Sequence, residues 1–203
     1  MSSLKLTADG GGGTVAIKGP ASTTGNNAFE LTVPGTASGT ILTSNSSVGK
    51  ILQIQQLFKN DAVSATGSSE TSFNDISGMS LAITPSSSSN KILVSYSIRV
   101  SSTPTGRNNS IRLVRGSTVI GAGTGGSTAN ATEHFRQMQD TNGNIVDQCS
   151  FEFLDSPATT SETTYKLQWT IESGTAYLNR RGDAGGSSSF GLGSTITLKE
   201  VAA

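Results

Sequence analysis

Apolar and polar residues alternate along several short runs after residue 50, and a period of two is typical of β-strands with one buried face. The longest run places Ile92, Val94, Tyr96, Ile98 and Val100 at every second position. No stretch shows the period of an amphipathic helix. The pattern therefore predicts an all-β fold, an antiparallel β-sandwich or jelly roll. Comparable runs occur at residues 51–58, 79–83, 111–114, 119–120, 135–138, 149–153, 165–171, 176–178 and 196–198.

Turn-forming residues separate these runs. Asn142-Gly143 is the strongest hairpin signal, because both residues tolerate the positive φ of a type I′ turn. Ser173-Gly174 predicts a turn that divides the run 165–171 from the run 176–178. We therefore expect about eight to ten short strands joined by tight connections.

Alternation also predicts which side of each strand is buried. In the run 51–58, Leu52, Ile54 and Phe58 share one side, so we expect a half-buried strand there. The residues expected to face the interior of the sandwich are Leu81, Ile83, Ile92, Val94, Tyr96, Ile98, Leu113, Phe151, Phe153, Leu167, Trp169, Ile171, Ile196 and Leu198.

The first 49 residues differ from the rest, because very short apolar pieces alternate there with breakers such as Gly19-Pro20 and Pro34-Gly35. Strands with two or three apolar residues bury little area, and an isolated short hairpin is marginal in water. We expect an extended N-terminal β segment over residues 1–49 and a sandwich over residues 50–203. The segment would lie on the sandwich, on sister chains or on another protein.

Composition fits this interpretation. Hydrophobic residues make up 33% of the chain, beside 32 Ser, 26 Thr and 24 Gly, which compete poorly for helix interiors. The 14 basic and 14 acidic residues balance, so charge gives no support for nucleic acid as a partner. No apolar run is long enough for a membrane span, and the start lacks the pattern of a signal peptide. We expect no membrane insertion and synthesis in a cytoplasm.

Candidate catalytic and metal-binding residues are few. His134 is the only histidine and lies on an expected strand, where a surface or hydrogen-bonded histidine is the usual case. Cys149 cannot form an internal disulfide, and its apolar neighbours predict a buried, inert thiol. Residues 140–147 offer side-chain oxygens for Ca²⁺, but Gly143 falls at the fourth position of the loop and not at the sixth, which favours a polar turn.

The carboxylates do not form a recognisable glycosidase pair by their spacing. We therefore predict no catalytic residues, no metal site and no cofactor, and hence a protein that is not an enzyme. The carboxylates considered are Glu152, Asp155, Glu162, Glu172 and Asp183.

The order of the pieces resembles bacteriophage tail-fibre and virion-appendage proteins, particularly those of marine phages. The N-terminal part of the resemblance is carried by ADGGGGTVAIKGPAST (8–23) and FELTVPGTASGTILTSNSSVGKIL (29–52). The remainder resembles the trimeric jelly-roll heads of phage fibres, which share their architecture with tumour-necrosis-factor and complement-type heads. It is carried by ISGMSLAITPSSSSNKILVSYSIRV (76–100), SIRLVRGSTVIGAG (110–123), YKLQWTI (165–171) and GLGSTITLKEV (191–201).

The resemblance implies a homotrimer located on a virion, with the N-terminal segment bound to other virion proteins of the tail or capsid. The residues that would make this attachment are Val15, Ile17, Phe29, Leu31 and Val33. Loops at one end of the jelly roll would then bind a glycan or protein on the host surface. Two alternatives stay open, a capsid decoration or head-fibre protein with a purely structural role and a carbohydrate-binding adhesin.

Loops on a rigid sandwich are the usual place for recognition, so the candidate receptor-binding residues lie in loops or beside them. Arg and Asn can donate paired hydrogen bonds to carboxylated or hydroxylated sugars, and Tyr177 offers a ring for stacking. A Gly-rich loop over residues 121–132 is a further candidate. The individual residues are Arg107, Asn108, Asn109, Tyr177, Arg180, Arg181 and Asp183.

Overall fold

The computed structural model describes residues 4–7, 14–17, 49–124, 130–135, 145–182 and 191–203, and for the first two ranges it describes the backbone alone. Every regular element within these residues is a β-strand, which confirms the predicted all-β class. The strands are β1 Leu4–Thr7, β2 Thr14–Ile17, β3 Ile51–Lys59, β4 Val63–Ile83, β5 Lys91–Thr103, β6 Asn109–Arg115, β7 Thr118–Ile120, β8 Glu133–Phe135, β9 Asp147–Asp155, β10 Thr163–Leu178 and β11 Ser194–Val201.

The chain divides into two compact units, Met1–Leu42 and Thr43–Ala203. In the first unit, β1 and β2 pair antiparallel, with Leu4 opposite Ile17. Val15 and Ile17, two of the expected attachment residues, belong to β2. The other three, Phe29, Leu31 and Val33, lie outside the described residues.

The second unit is a jelly roll built from two antiparallel layers. One layer has the strand order β3-β11-β5-β9, and the other has the order β4-β10-β6, with β7 and β8 both along the far edge of β6. When β7 and β8 are counted as one strand, the described part of the second unit has eight strands. Numbered along the chain from β3 as strand 1, they have the orders 1-8-3-6 and 2-7-4-5 in the two layers. This is the strand order of a double Greek key, so the structure agrees with the predicted sandwich or jelly roll.

The core lies between the two layers, where alternate residues of both point inward. Ile92, Val94, Tyr96, Ile98 and Val100 of β5 are all buried, as their alternation predicted. The opposite layer contributes Tyr165, Leu167, Trp169 and Ile171 from β10. Of the 14 predicted interior residues, 11 are buried, and Leu81, Phe151 and Phe153 are partly buried against the core.

The predicted side of β3 is wrong. Leu52, Ile54 and Phe58 face solvent, with 42, 56 and 62% of their surfaces exposed. Register explains the difference, because Leu57 lies directly opposite the fully buried Ile196 and therefore shares its inward side. A shift of one residue reverses every side chain of a strand, so the even-numbered apolar residues point outward.

The predicted turn at Ser173-Gly174 is also wrong. β10 runs without interruption from Thr163 to Leu178, and its pairing with β4 shifts register between Ile171 and Gly174. The two expected strands 165–171 and 176–178 are therefore halves of one irregular strand. Shifts of this kind bend a strand and increase its twist.

The bend in β10 allows the two layers to join at one corner. Residues 175–178 of β10 pair with residues 100–103 at the end of β5, which belongs to the other layer for most of its length. Gly174 has a φ of +82° and lies so close to Thr103 that an added Cβ would overlap the Thr103 carbonyl oxygen. This position therefore requires glycine for both its backbone angle and its lack of a side chain.

Buried carboxylates close the end of the sandwich that is opposite this corner. Glu200 and Asp155 both lie beside Ile92, in β11 and β9 respectively, and both are buried. Asp155 accepts hydrogen bonds of 2.7 Å from Arg115 and from the Tyr165 hydroxyl. Because Arg115 and Tyr165 belong to the facing layer, these bonds fasten the two layers together.

Glu200 is fully buried and accepts hydrogen bonds from three residues. Asn90 Nδ2 donates at 2.6 Å, Gln53 Nε2 at 2.7 Å, and the backbone and hydroxyl of Ser86 each at 2.7 Å. Burial by itself would raise the pKa of Glu200, but these donors outweigh it and lower the pKa to about 2. The carboxylate thus ties the β4–β5 connection to β3 and β11.

Glu200→Gln should lower the free energy of unfolding at neutral pH by about 2 to 3 kcal/mol, since an amide presents an NH₂ group to donors that need an acceptor. The stability of the native carboxylate is present above its unfolded pKa near 4.5 and is lost as pH falls towards 2. Denaturant unfolding between pH 7 and 2 would measure both effects. Glu162→Gln, at an exposed site, is the control, and equal stability of both variants at pH 7 would contradict the assignment.

Gly174→Ala should destabilise the jelly roll by at least about 3 kcal/mol, because backbone strain adds to overlap with the Thr103 carbonyl. Gly116→Ala is a matched control, with a φ of +57° and no atom within 4 Å of the added Cβ. It should cost only about 1 to 2 kcal/mol of backbone strain. Similar losses in the two variants would show that the corner is not tightly packed.

Candidate functional site

Three described connections lie at the same end of the jelly roll as the corner. β3 and β5 both pair antiparallel with β11, so the ends of β3 and β5 and the start of β11 coincide. The connections 60–62, 104–108 and 179–182 therefore lie at one end, which we call the loop end. Candidate receptor-binding residues from two separate stretches of sequence are thereby brought to one place.

Arg107 and Asn108 lie in the β5–β6 connection and bind the same carboxylate. Glu172 of β10 accepts a hydrogen bond from the Asn108 backbone N–H and lies 3.6 Å from Arg107 Nη1. The Arg107 side chain is 42% exposed, so this ion pair lies at the surface and contributes little to stability. The pairing fixes the position of the connection and leaves the Arg107 side chain partly exposed.

Asn109 does not have the surface position that its loop context predicted. It is fully buried, and its Oδ1 accepts a hydrogen bond of 3.2 Å from the Glu172 backbone N–H. Asn109 is the first residue of β6, where it lies opposite Phe135 of β8. Its side chain therefore supports the loop end from inside, and a ligand at the surface would not reach it.

Tyr177 and Arg180 are both partly buried and form a contact between an aromatic ring and a cation at the loop end. The guanidinium carbon of Arg180 lies 4.4 Å from the centre of the Tyr177 ring, within the range of a cation–π contact. The Tyr177 hydroxyl lies 3.2 Å from the Thr103 hydroxyl across the corner. Ser101 Oγ donates to the Arg180 carbonyl at 2.8 Å, which holds the backbone beneath the stack.

Asn179 fixes the backbone from which Arg180 projects. Its Nδ2 donates to the carbonyls of Lys59 and Asp61 at 2.9 and 3.0 Å, and its Oδ1 accepts from Ser194 Oγ at 2.6 Å. Asn179 is buried and has a φ of +62°, a conformation that Asn tolerates better than most residues. One side chain thus joins the turn after β3 to the end of β10 and the start of β11.

The structure describes the remaining candidates, Arg181, Asp183 and the loop 121–132, only in part. Arg181 lies directly after the stack and is partly buried, whereas Asp183 lies outside the described residues. Of the Gly-rich loop 121–132, the described residues 121–124 and 130–132 follow β7 and precede β8, and both strands pair with the same edge of β6. Thr132 at the end of this loop donates a hydrogen bond of 3.0 Å to the Ile111 carbonyl.

Two residues of the loop end were not found as binding-site components from sequence. Glu172 was considered only as a possible member of a glycosidase pair, and Thr103 was not considered. Glu172 is 64 residues from Asn108 in the chain, and no local pattern signals a contact at that separation. Its place opposite the β5–β6 connection follows only from the register of β10.

The residues considered for catalysis or metal binding do not converge in the described part of the chain. His134 is exposed, with Nδ1 3.2 Å from Ser110 Oγ. Cys149 is buried, and burial raises the pKa of its thiol to about 12, so it stays protonated and unreactive at neutral pH. Within the described ranges, no group of three His, Cys, Asp or Glu residues is arranged to hold a metal ion.

Residues 140–144 of the suggested Ca²⁺ loop lie outside the described residues. Of its carboxylates, only Asp147 is described, at the start of β9, and burial raises the pKa of that carboxyl group. The expected hairpin turn at Asn142-Gly143 and residues 136–138 also lie outside the described ranges. Among the elements that are described, no helix is long and apolar enough to cross a membrane.

No protein-family model matches the sequence, and no curated protein matches it significantly. Among solved structures, the chain is similar to the VP2 subviral particle of infectious bursal disease virus, at 12% identity and a TM-score of 0.34. It is also similar to the structure of the Gx strain of that virus, at 13% identity and a TM-score of 0.33. Each match covers 85% of this chain but only 37 and 41% of the viral chain. Similarity of this degree does not identify a family.

Proposed function

We propose that this chain is a structural protein of a virus particle, a homotrimeric tail fibre or appendage. Its N-terminal segment, with Val15, Ile17, Phe29, Leu31 and Val33, attaches to other virion proteins, and its loop end binds the host surface. The jelly-roll strand order supports this proposal at the level of architecture, since viral coat proteins and lectins both use it. The resemblance of the sequence to phage appendage proteins supports the more specific role.

The observation that carries the proposal is the convergence of Tyr177, Arg180 and Arg107 at one end of a rigid sandwich. Arg107 lies in the β5–β6 connection, whereas Tyr177 and Arg180 lie at the end of β10 and just after it, about 70 residues further along the chain. The corner between β5 and β10 holds both in place through Gly174 and Thr103. A rigid scaffold that presents polar and aromatic groups in loops is the usual design of a recognition surface.

The chemistry of the loop end suits a polysaccharide with carboxylate or hydroxyl groups. A guanidinium group donates paired hydrogen bonds to carboxylates, and the Tyr177 ring offers an apolar face to a sugar ring. Arg180 is already held against one face of that ring, which limits the side-chain entropy that it loses on binding, and a sugar ring would stack on the opposite face. In this proposal the protein binds its ligand without transforming it.

A second candidate function is a capsid decoration or head-fibre protein with no ligand. It is favoured by the fact that Asn109 is buried and that Glu172 already occupies part of the hydrogen-bonding capacity of Arg107 and Asn108. In that case the loop end is polar only because it faces water. Binding measurements on the purified protein distinguish the two candidates.

Tyr177→Ala should weaken binding to host-envelope polysaccharide by about tenfold or more, because it removes the stacking face and releases Arg180. Tyr177→Phe keeps the ring and should retain most of the affinity. Binding is measured on an array of acidic and neutral saccharides and on isolated host envelopes, with thermal melting as the check on folding. Thr118→Ala, exposed in the hairpin at the opposite end, is the control.

Wild-type protein that binds neither the saccharides nor the envelopes would contradict the recognition role and leave the structural role. Equal binding by wild type and Tyr177→Ala would show that a ligand, if bound, does not use the loop end.

A further inference from the structure

The outward side of β3 is largely apolar, with Gln56 as a polar residue between Ile54 and Phe58, although it faces solvent. Ile51, Leu52, Ile54 and Phe58 are 49, 42, 56 and 62% exposed. The side of β3 that faces the sandwich carries Gln53, which donates a hydrogen bond to Glu200. The outward side of β3 therefore carries more apolar surface than its position predicts, whereas the inward side carries Gln53 and Gln55 beside Leu57.

One largely apolar row continues from β3 across the layer, between rows with polar residues such as Gln56, Thr197, Ser95 and Glu152. Ile54 lies opposite Lys199, Lys199 opposite Leu93, and Leu93 opposite Leu154, so these four residues form one row on the outward side of β3, β11, β5 and β9. Leu154 is 47% exposed, and the hydrocarbon stem of Lys199 continues the row between the apolar residues. We call the outward side of these four strands the β3 face.

The exposed area of the β3 face matches what an interface between copies requires. The five residues that are 42–62% exposed leave roughly 500 Å² of largely apolar surface in water, taking about 200 Å² for each side chain and its backbone. A standard interface buries about 800 Å² on each partner, of which somewhat more than half is apolar. The patch is therefore about the size of the apolar part of one side of such an interface.

The unpaired edge of β3 is a second feature that favours association with another chain. β3 pairs only with β11 in the described part of the chain, so backbone N–H and C=O groups along its second edge have no strand partner there. Edge strands of this kind are usually protected by charge, proline or a covering element. The stretch 51–58 contains no charged residue and no proline. The formal net charge of the chain is zero, so two copies do not repel each other through net charge.

We propose that the β3 face is the surface through which copies of this chain associate. The inference rests on the oligomer in the proposed function, and it depends neither on a location in a virion nor on ligand binding. The partner is a second copy, which covers Ile54 and Phe58 with apolar side chains and shields the edge of β3. The loop end is formed by other connections and stays exposed in such an assembly.

The test is the mass of the full chain in solution, measured by light scattering and sedimentation at micromolar concentration. Wild type should have a multiple of the 20.8 kDa chain mass. Ile54→Glu with Phe58→Glu should give the single-chain mass with an unchanged β-sheet spectrum, because both positions are more than half exposed and the core does not use them. Leu154→Glu, on a different strand of the β3 face, should raise the dissociation constant at least tenfold.

Thr118→Glu is the matched control, since it adds the same charge at an exposed site on the other layer and should leave the mass unchanged. A wild-type monomer, or an unchanged mass in both the double variant and Leu154→Glu, would overturn the inference. Tyr177→Ala should keep the mass of wild type, so loss of saccharide binding and loss of assembly are scored separately. A monomer that still binds saccharide would refute the interface and the oligomer, and would leave the recognition role in place.

Discussion

The pairing of the end of β5 with the end of β10 is the constraint on which the rest of the structure depends. β5 belongs to one layer over residues 91–100 and reaches the other layer at residues 100–103, where it contacts residues 175–178. This contact closes one corner of the sandwich and sets the position of the connection that carries Arg107. It requires Gly174, because any side chain at this position would overlap the Thr103 carbonyl.

The chain is only 33% hydrophobic, and hydrogen bonds of buried polar groups join the two layers and the connections at both ends of the sandwich. Asn179 joins three segments at the loop end, and Glu200 and Asp155 fasten the opposite end. Each of these groups would be costly if it lacked partners, so each fixes the loops that satisfy it. The central part of the sandwich, around Trp169 and Ile98, is packed mainly by apolar and aromatic side chains.

Sequence predicted the fold class and most of the core, because alternation along β5 and β10 is strong and both strands are central. It failed for β3, an edge strand, since apolar residues on one side of an edge strand do not show whether that side meets the core or another chain. The first part of β4, from Val63 to Asp75, was not predicted, because its Ser- and Thr-rich sequence has little apolar alternation. Gly174 was predicted to lie in a turn, although it lies within β10 where this strand approaches the end of β5.

The candidate site was predictable in its parts and not in its assembly. Loop composition singled out Arg107, Tyr177 and Arg180, but the contacts that organise them depend on strand register over separations of 60 to 80 residues. Asn109 was expected in an exposed loop because of its neighbours in the sequence, but it is the buried first residue of β6. No local pattern distinguishes these two situations.

The most direct test of this account is electron cryomicroscopy of virus particles produced from the genome that encodes this chain, at a resolution that traces the backbone. The account predicts density for the jelly roll on the outside of the particle, with the connections 104–108 and 179–182 directed away from it and the β3 face covered by another copy. Particles that lack the chain would contradict the proposed function. Particles in which the loop end is buried against other virion proteins would contradict its role in host recognition.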